Sequence, residues 1–368
     1  MNQRKFRLSV LNPVKILFLL SLFNISATVF EGFEQADLNR GIKNQEIVYS
    51  PMDDFLYNEK WHFMALFDNG WALYSNVMIT NIALERYSGG VEFSLYSPEG
   101  KIFTSKKDYS PEMVSASREK YQVRIAESKC GGEYPRYYLE LSQDGIEVIL
   151  KYENQVPGWK PGDGLVWFDK EKRKFFKYIW TSPRARVSGF IQVQGKRISV
   201  QGYGLQDYAK SNISASDYST RWLHLRIWHP NYSVVYTQID FSEKYGGGSV
   251  KFGVITDQEK IIYQGRNWIV EPVKYAHDAK YGKDYPEMIS LKTGGEKVIL
   301  SGNVKVERVL EKLDVFANLN MALRGIVYTF IAKPVFYRCQ NQYQIELMVN
   351  GKKEILTGKG FNETVYIK

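Results

Sequence analysis

The sequence is poor in the residues that usually bind metals or form crosslinks. Its 368 residues include two cysteines and four histidines, and it contains no Cys-x-x-Cys or His-x-x-x-His spacing. We therefore expect neither a metal site nor a cofactor. Cys130 and Cys339 fall in different halves of the chain, so they either join the halves through a disulfide or remain two unpaired, partly buried thiols.

Methionine is also scarce, with 8 residues against 26 Tyr and 20 Phe, and helical patterns are few. This aromatic and β-branched bias favours an all-β chain. The formal net charge is +9, but no basic helix and no aromatic-basic ribonucleoprotein signature occurs, which argues against nucleic-acid binding. The positive excess indicates either simple solubility from solvated lysines or contact with anionic lipid or polymer at a membrane surface.

The N-terminus has the layout of an export signal. Basic residues precede an uncharged run at 16–30, and the most apolar part of that run, 16–23, is short for a membrane span. Residues 1–30 are therefore predicted to be a secretory signal peptide, with an uncleaved N-terminal anchor as the alternative. The corresponding location is periplasmic, secreted or attached to the envelope.

One sequence unit occurs twice. Each copy has a hairpin turn, a Gly-x-Gly and then an amide next to an acid: Gly202-Tyr203-Gly204-Leu205-Gln206-Asp207 and Gly358-Lys359-Gly360-Phe361-Asn362-Glu363. A second echo pairs Lys60-Trp61-His62-Phe63 with Arg221-Trp222-Leu223-His224, and each reads as a strand that enters a tight turn. Together they predict two successive units, 45–212 and 213–368.

The strands are short and joined by tight turns, which indicates an antiparallel barrel or sandwich. Neither Gly-x-Gly opens a helix in a βαβ unit, so neither is a dinucleotide motif. Alternation along 222–228 gives one aliphatic face and one mixed face consisting of Trp222, His224, Arg226 and Trp228. The mixed face either is covered, lines a cavity for a hydrophobic ligand with a polar group, or stacks Arg226 on its tryptophan neighbours at the surface.

Asp207 and Glu363 occupy matched positions after their glycines. A carboxyl group at such a position could act as a general acid if burial raised its pKa toward neutrality. The alternative is a structural carboxylate that caps a turn by accepting backbone N–H groups.

Three segments resemble the motifs of one known family. Residues 183–189 and 200–208, followed by Arg221-Trp222, resemble the central signature of the tandem lipocalin-like family that includes carotenoid hydratase (hydroxyneurosporene synthase). Residues 59–63 and 358–363 resemble its first and last motifs, so the match covers about 45–368. The resemblance implies two tandem antiparallel lipocalin-like β-barrels packed together, with a hydrophobic pocket at or near their junction.

The resemblance also implies site residues. In the hydratase, an acid matching Asp207 protonates an alkene so that water can add, and aromatic faces such as Trp222 or Trp228 would stabilise the cation. The family motif has a histidine after the acid, whereas this chain has Tyr208. Tyr208 or His224 is therefore the candidate assistant to Asp207.

Three functional hypotheses follow. The first is an exported binding protein for a hydrophobic, lipid-like or isoprenoid-like molecule, with the candidate ligand-binding residues Trp222, Arg226, Trp228, Tyr203 and Glu363. The second is a hydratase-like or cyclase-like enzyme that uses Asp207, and the third is a structural envelope protein. A deep cavity with a buried Asp207 would favour the enzyme, and the same cavity with Asp207 bound to backbone amides would favour a carrier. The third hypothesis predicts no cavity.

Overall fold

The computed structural model describes residues 41–82, 85–314 and 334–367. The predicted signal, 1–30, lies outside these residues. Within the described ranges, four short helical segments accompany the strands: 3-10 turns at Asn44–Ile47, Pro111–Met113 and Glu243–Tyr245, and an α-helix, α1, at Ala215–Tyr218. None of the helices in the described part of the chain has the length and apolar character needed to cross a bilayer.

The first sheet contains twelve strands among the described residues. They are β1 (Asn58–Phe67), β2 (Ala72–Thr80), β3 (Ser88–Tyr96), β4 (Ile102–Tyr109), β5 (Val114–Ala116), β6 (Gln122–Ile125), β7 (Ser128–Glu133), β8 (Arg136–Gln143), β9 (Ile146–Asn154), β10 (Leu165–Trp167), β11 (Phe175–Val193) and β12 (Lys196–Ser211). Their order is β4-β3-β2-β1-β12-β11-β9-β8-β7-β6-β5, with β10 paired to β11. The sheet curls into a nearly closed barrel, and the Gln143 side chain on β8 donates to the Val91 carbonyl on β3 across the gap (3.2 Å).

The second sheet contains nine strands in the described chain. They are β13 (Ser219–Trp228), β14 (Ser233–Phe241), β15 (Ser249–Thr256), β16 (Ile261–Gly265), β17 (Trp268–Asp278), β18 (Lys283–Gly294), β19 (Val298–Asp314), β20 (Val335–Val349) and β21 (Lys352–Tyr366). Their order, β16-β15-β14-β13-β21-β20-β19-β18-β17, bends into a half-barrel. The two antiparallel sheets confirm the predicted all-β fold of two tandem barrels. The unit boundaries at 45–212 and 213–368 remain predictions, although every strand of a sheet falls within one unit.

The two repeated motifs form equivalent hairpins. Gln194-Gly195 joins β11 to β12 and Asn350-Gly351 joins β20 to β21, and all four residues have positive φ. Two consecutive positive φ angles are typical of a type I′ turn, whose twist matches that of the strands. After the Gln194-Gly195 turn, β12 passes close to β1. A Cβ on Gly202 would lie 2.1 Å from the Leu66 carbonyl oxygen, so only glycine allows this close approach of the two strands.

Three large apolar clusters and one small one occur among the described residues. One fills the first barrel and includes Trp61, and another fills the second and includes Leu223 and Leu225. The third lies between the barrels, where side chains of β1, β2, β11 and β12 pack against those of β13, β14, β15 and β21. The mixed face of β13 therefore packs toward the first barrel, and the aliphatic face points into its own barrel.

Cys130 and Cys339 are unpaired and buried, which is the second of the two alternatives predicted for them. Cys130 belongs to the interior of the first barrel and Cys339 to a small cluster in the second. Burial raises the pKa of each thiol to about 12, so both remain in the unreactive thiol form at neutral pH.

Candidate functional site

A cavity of about 310 Å³ lies between the two barrels. We call it the junction cavity, and its volume falls within the lower part of the range for small-molecule sites, about 300–1,000 Å³. Its apolar and aromatic wall consists of Tyr74, Ile82, Phe176, Tyr178, Ala209, Ile213, Ala215, Tyr218, Trp222, Phe336, Val365 and Ile367. Its polar lining consists of Asn58, Lys60, His62, Asp207, Lys210, Ser211, Ser214, His224, Arg226 and Glu363. Both barrels and the connection between them contribute to the wall.

Strand register places a histidine opposite each of the two repeated acids. His62 on β1 pairs with Asp207 on β12, and His224 on β13 pairs with Glu363 on β21. The two histidines therefore occupy equivalent positions in the two barrels. The sequence alignment that matched Trp61 with Trp222 was wrong by one residue. A slip of one residue reverses the face of every side chain in a strand, which is why Trp61 fills the first barrel whereas Trp222 lines the cavity.

Asp207 is the centre of the polar lining. Its Oδ2 accepts a hydrogen bond from His62 Nδ1 (2.8 Å) and a longer one from the Tyr178 hydroxyl (3.4 Å), and Arg226 Nη2 lies 3.9 Å away. Burial alone would raise the pKa of Asp207, but His62 and Arg226 outweigh it and hold the pKa below its ordinary value. The carboxylate is therefore ionised at neutral pH, and its partners in the described chain are side chains rather than backbone amides.

The two cavity histidines are neutral. Burial lowers the pKa of His62 below its ordinary value despite the nearby Asp207. Burial, together with Arg226, lowers the pKa of His224 further. Because the Asp207 carboxylate accepts from His62 Nδ1, that nitrogen carries the proton and Nε2 is an acceptor, and Nε2 has no partner among the described residues. His224 Nδ1 is within 2.9 Å of the Thr237 hydroxyl.

Arg226 has hydrogen-bonding capacity to spare. It is buried, and its Nε and Nη1 atoms have no acceptor among the residues that the structure describes. An unsatisfied buried donor typically costs about 1–3 kcal/mol. These two N–H groups and His62 Nε2 are therefore the atoms of the lining best suited to bind the polar group of a ligand.

A second charged cluster involves Arg338 beside the cavity. Its Nε donates to Glu363 Oε2 (2.7 Å), its Nη1 donates to Glu311 Oε2 (2.6 Å), and its guanidinium carbon lies 3.4 Å from the centroid of the Tyr74 ring in the first barrel. The Tyr96 hydroxyl, also from the first barrel, donates to Glu311 (2.7 Å). Burial raises the pKa of Glu363, but Arg338 and Arg226 overcome this and leave the pKa below its ordinary value. Both arginines therefore have anionic partners.

The structure brings together five of the eight predicted site residues: Asp207, Trp222, His224, Arg226 and Glu363 all line the cavity. Tyr208 does not, because it lies on the opposite face of β12, where its hydroxyl donates to Glu59 (2.8 Å).

The other two predicted residues lie outside the lining. Tyr203 stacks against Arg184 and Arg186, whose guanidinium carbons lie 4.7 and 4.5 Å from its ring centroid. Trp228 is buried in the cluster between the barrels. Sequence reasoning missed His62 and Arg338, although the pairing of β1 with β12 would have revealed His62.

We expect Asp207→Asn to lower the free energy of unfolding by about 2 kcal/mol at pH 7, because hydrogen bonds to a charged group are lost. Since the folded-state pKa of Asp207 is depressed, its contribution is present above the ordinary pKa of aspartate, about 3.9, and is lost as the pH falls through the folded value. Denaturant unfolding at several pH values should therefore show the difference between wild type and variant shrink below about pH 4. A difference independent of pH would contradict this assignment.

Comparison with known proteins identifies the family. The model of the Svf1 family matches residues 24–368. The chain belongs to the Svf1 family. Two curated members are the ceramide-binding protein SVF1 of Yarrowia lipolytica, 27% identical over 61% of each chain, and the ceramide-binding protein svf1 of Schizosaccharomyces pombe, 25% identical over 75% of each chain. The chain thus aligns with less than two thirds of the Yarrowia protein.

Solved structures with the same fold are more distant in sequence. The AttH candidate of Nitrosomonas europaea superposes with a TM-score of 0.64 at 14% identity, over 89% of this chain and 98% of that one. CghA with Sch210972 gives 0.62 at 11% identity, over 93% and 98%. Kievitone hydratase from Nectria haematococca gives 0.56 at 14% identity, over 92% and 98%. The tandem lipocalin-like fold is confirmed by these matches, whereas kinship with carotenoid hydratase itself remains a prediction.

Proposed function

We propose that this Svf1-family chain binds a lipid of the ceramide class in the junction cavity. The observation that carries the proposal is a largely apolar cavity lined by Arg226 and His62, two buried residues that each carry polar atoms with no partner among the described residues. The relatives named as ceramide-binding proteins support the choice of lipid. The first hypothesis from the sequence was a protein that binds a hydrophobic molecule, and the proposal narrows that molecule to a ceramide-class lipid. The predicted export remains a proposal.

The chemistry of the lining suits a neutral amphiphile. Ceramide combines long alkyl chains with an amide and hydroxyl groups, which both donate and accept hydrogen bonds. The Arg226 N–H groups can donate to its carbonyl or hydroxyl oxygens, and His62 Nε2 can accept from a hydroxyl. Asp207 already balances Arg226, and Arg338 has its own carboxylates, so neither arginine is left as the counter-ion of an anionic headgroup.

The aromatic wall suits the alkyl chains. Phe176, Tyr218 and Trp222 contact one another at ring-centroid distances of 5.3–6.2 Å and form a continuous surface along the cavity. Each CH₂ group buried against such a surface contributes about 0.8 kcal/mol. Affinity is therefore expected to come mainly from the alkyl chains, and selectivity from the polar atoms.

The substitution Arg226→Lys tests whether the polar atoms of the lining contribute to lipid binding. Lysine keeps the positive charge beside Asp207 but lacks the planar guanidinium and its several N–H groups. We expect affinity for a short-chain fluorescent ceramide to fall about tenfold, which is the effect of losing one hydrogen bond from a charged donor. The matched control is Arg221→Lys on the same strand, because Arg221 binds Asp240 (2.6 Å) and does not line the cavity.

The control should bind the lipid as wild type does. Native mass spectrometry of the protein purified from its own host, with lipid extraction, provides an independent check. Wild-type protein that neither copurifies with ceramide nor binds it in titration would refute the proposed function. Equal losses in the two lysine variants would refute the assignment of Arg226.

The enzyme and envelope hypotheses have less support. A hydratase mechanism through Asp207 needs a carboxyl group that is protonated near neutral pH, whereas His62 and Arg226 overcome the effect of burial and hold the pKa of Asp207 below its ordinary value. The burial of Asp207 was the feature expected of an enzyme, but its ionised state opposes the role of proton donor. The structural hypothesis predicted no cavity, and a cavity lies between the barrels.

A further inference from the structure

Arg184 is a buried cation whose role the cavity lining does not explain. It lies on β11 in the first barrel, and its side chain is buried. Its hydrogen-bond partners in the described chain are all neutral groups. Burial lowers the pKa of its guanidinium below the ordinary value, although arginine stays protonated in proteins. Arg184 is therefore a buried charge that no carboxylate binds within the described ranges.

Most of the acceptors that Arg184 binds belong to the second barrel. Its Nη1 donates to the His229 carbonyl (3.0 Å) and to the Ser233 hydroxyl (2.6 Å), and its Nη2 donates to the Pro230 carbonyl (2.7 Å). Its Nε donates to Gln155 Oε1 (2.9 Å), which follows β9 of the first barrel. One side chain of the first barrel thus holds the turn between β13 and β14 by three hydrogen bonds.

The turn that Arg184 holds directly follows the strand that brings polar side chains to the cavity. β13 ends at Trp228, and its residues Trp222, His224 and Arg226 line the junction cavity. β13 is paired on both sides, with β14 and with β21, so it moves as part of a sheet rather than as a free segment. A displacement of its turn would therefore also displace Arg226 relative to the first barrel.

Packing alone does not account for a charged side chain at this position. An apolar side chain of similar volume could be buried there without the cost of removing an ion from water. Arginine adds direction, because its planar guanidinium holds several N–H groups in a fixed geometry. The Tyr203 ring lies against the guanidinium carbons of Arg184 (4.7 Å) and Arg186 (4.5 Å), so Tyr203 supports this arrangement from outside the cavity.

We propose that Arg184 is a positioning residue for lipid binding. By holding the turn at 229–232, it fixes β13 and with it the place of Arg226 in the junction cavity. The start of β13 is already joined to the first barrel through the connection at 212–218, so Arg184 secures the end that the chain does not tether. This inference rests on the proposed function, and Arg184 itself lies outside the cavity lining.

The test compares Arg184→Met with Arg186→Met in the full-length protein. Methionine retains apolar volume but cannot hold the turn, so Arg184→Met should weaken binding of short-chain fluorescent ceramide about tenfold. Without lipid, native-state exchange of the His229 amide, which donates to the Tyr232 carbonyl, should become about tenfold faster or more. Arg186 is the matched control, because it lies on β11 against the same Tyr203 ring but is exposed; its variant should behave as wild type.

Two measurements separate positioning from stability. A residue that only stabilised the fold would leave the affinity of the folded protein unchanged, so wild-type affinity in folded Arg184→Met, or an equal loss in Arg186→Met, would overturn the inference. If Arg184→Met does not fold, Arg184→Lys takes its place, with an expected loss of about threefold because lysine lacks the planar fork. Wild-type protein that binds no ceramide would refute the proposed function, whereas unchanged exchange at His229 would refute the role of Arg184 alone.

Discussion

Replacing Arg338 with methionine should lower the free energy of unfolding by about 3–5 kcal/mol at pH 7. Methionine keeps much of the apolar stem but leaves the Glu363 and Glu311 carboxylates without the guanidinium that now binds both. Removing one partner of a buried ion pair is costly because the remaining charge can neither bind water nor find another partner. The loss should exceed that of the other substitutions described for this protein.

The pH dependence of the stability loss in Arg338→Met identifies the cause of that loss. With Arg338 present, the folded-state pKa of Glu363 lies below its ordinary value despite burial, so its favourable contribution is present above that ordinary value and is lost as the pH falls. In Arg338→Met, burial would dominate and raise the pKa of Glu363. Protonation then relieves the buried charge, so the stability difference from wild type should shrink on acidification.

Urea unfolding of wild type, Arg338→Met and the control Arg308→Met measures this effect. Arg308 donates to the carbonyl oxygens of Ser97 and Pro98 and to Gln340, all neutral groups. Arg308 is only half-buried and its acceptors are neutral, so its loss should cost less than that of Arg338, about 1–2 kcal/mol. Similar losses in the two variants would show that burial of unpaired carboxylates is not the cause.

Filling the junction cavity should abolish lipid binding. Ala209 lies on β12, two residues beyond Asp207 on the same face, and lines the cavity. Phenylalanine at this position would project its ring into the space that the alkyl chains are proposed to occupy. We expect the Kd for ceramide to rise about a hundredfold or more, because forcing a ligand into an overfilled site costs up to about 3 kcal/mol.

Titration with fluorescent ceramide measures the affinity, and denaturant unfolding checks the fold. The control Ala276→Phe makes the same change on β17, outside the cavity lining, and should retain wild-type affinity. If Ala209→Phe folds normally and binds ceramide as tightly as wild type, the lipid does not occupy the junction cavity. The binding site would then have to be sought elsewhere on the chain.

Local patterns in the sequence predicted the parts of the site that lie on one strand. Alternation along 222–228 separated Leu223 and Leu225 from His224 and Arg226, and the structure places the first pair in the barrel core and the second in the cavity. The repeated turns at 194–195 and 350–351 could also be predicted from neighbouring residues, since each depends on only two residues with positive φ. Such features require no knowledge of distant partners.

Features that depend on pairing between distant strands could not be obtained in this way. His62 and Asp207 are far apart in sequence, and only the register of β1 against β12 places them opposite each other. The echo of Trp61 in Trp222 compared residue types without knowing which way each side chain points. Tyr208 was chosen for its proximity in sequence to Asp207, but adjacent strand residues face opposite sides of a sheet. Arg338 carried no local signal, because its partners come from other strands and from the other barrel.

The two repeated acids have diverged in the partners they keep. Asp207 retains its facing histidine, whereas Glu363 is bound by Arg338 and its facing His224 contacts Thr237 instead. The cavity formed by two similar barrels is therefore not symmetric: one side offers a neutral histidine and spare arginine N–H groups, and the other is saturated by ion pairs. An amphiphile bound in the proposed way would therefore place its polar group against His62 and Arg226 rather than against Glu363 and Arg338.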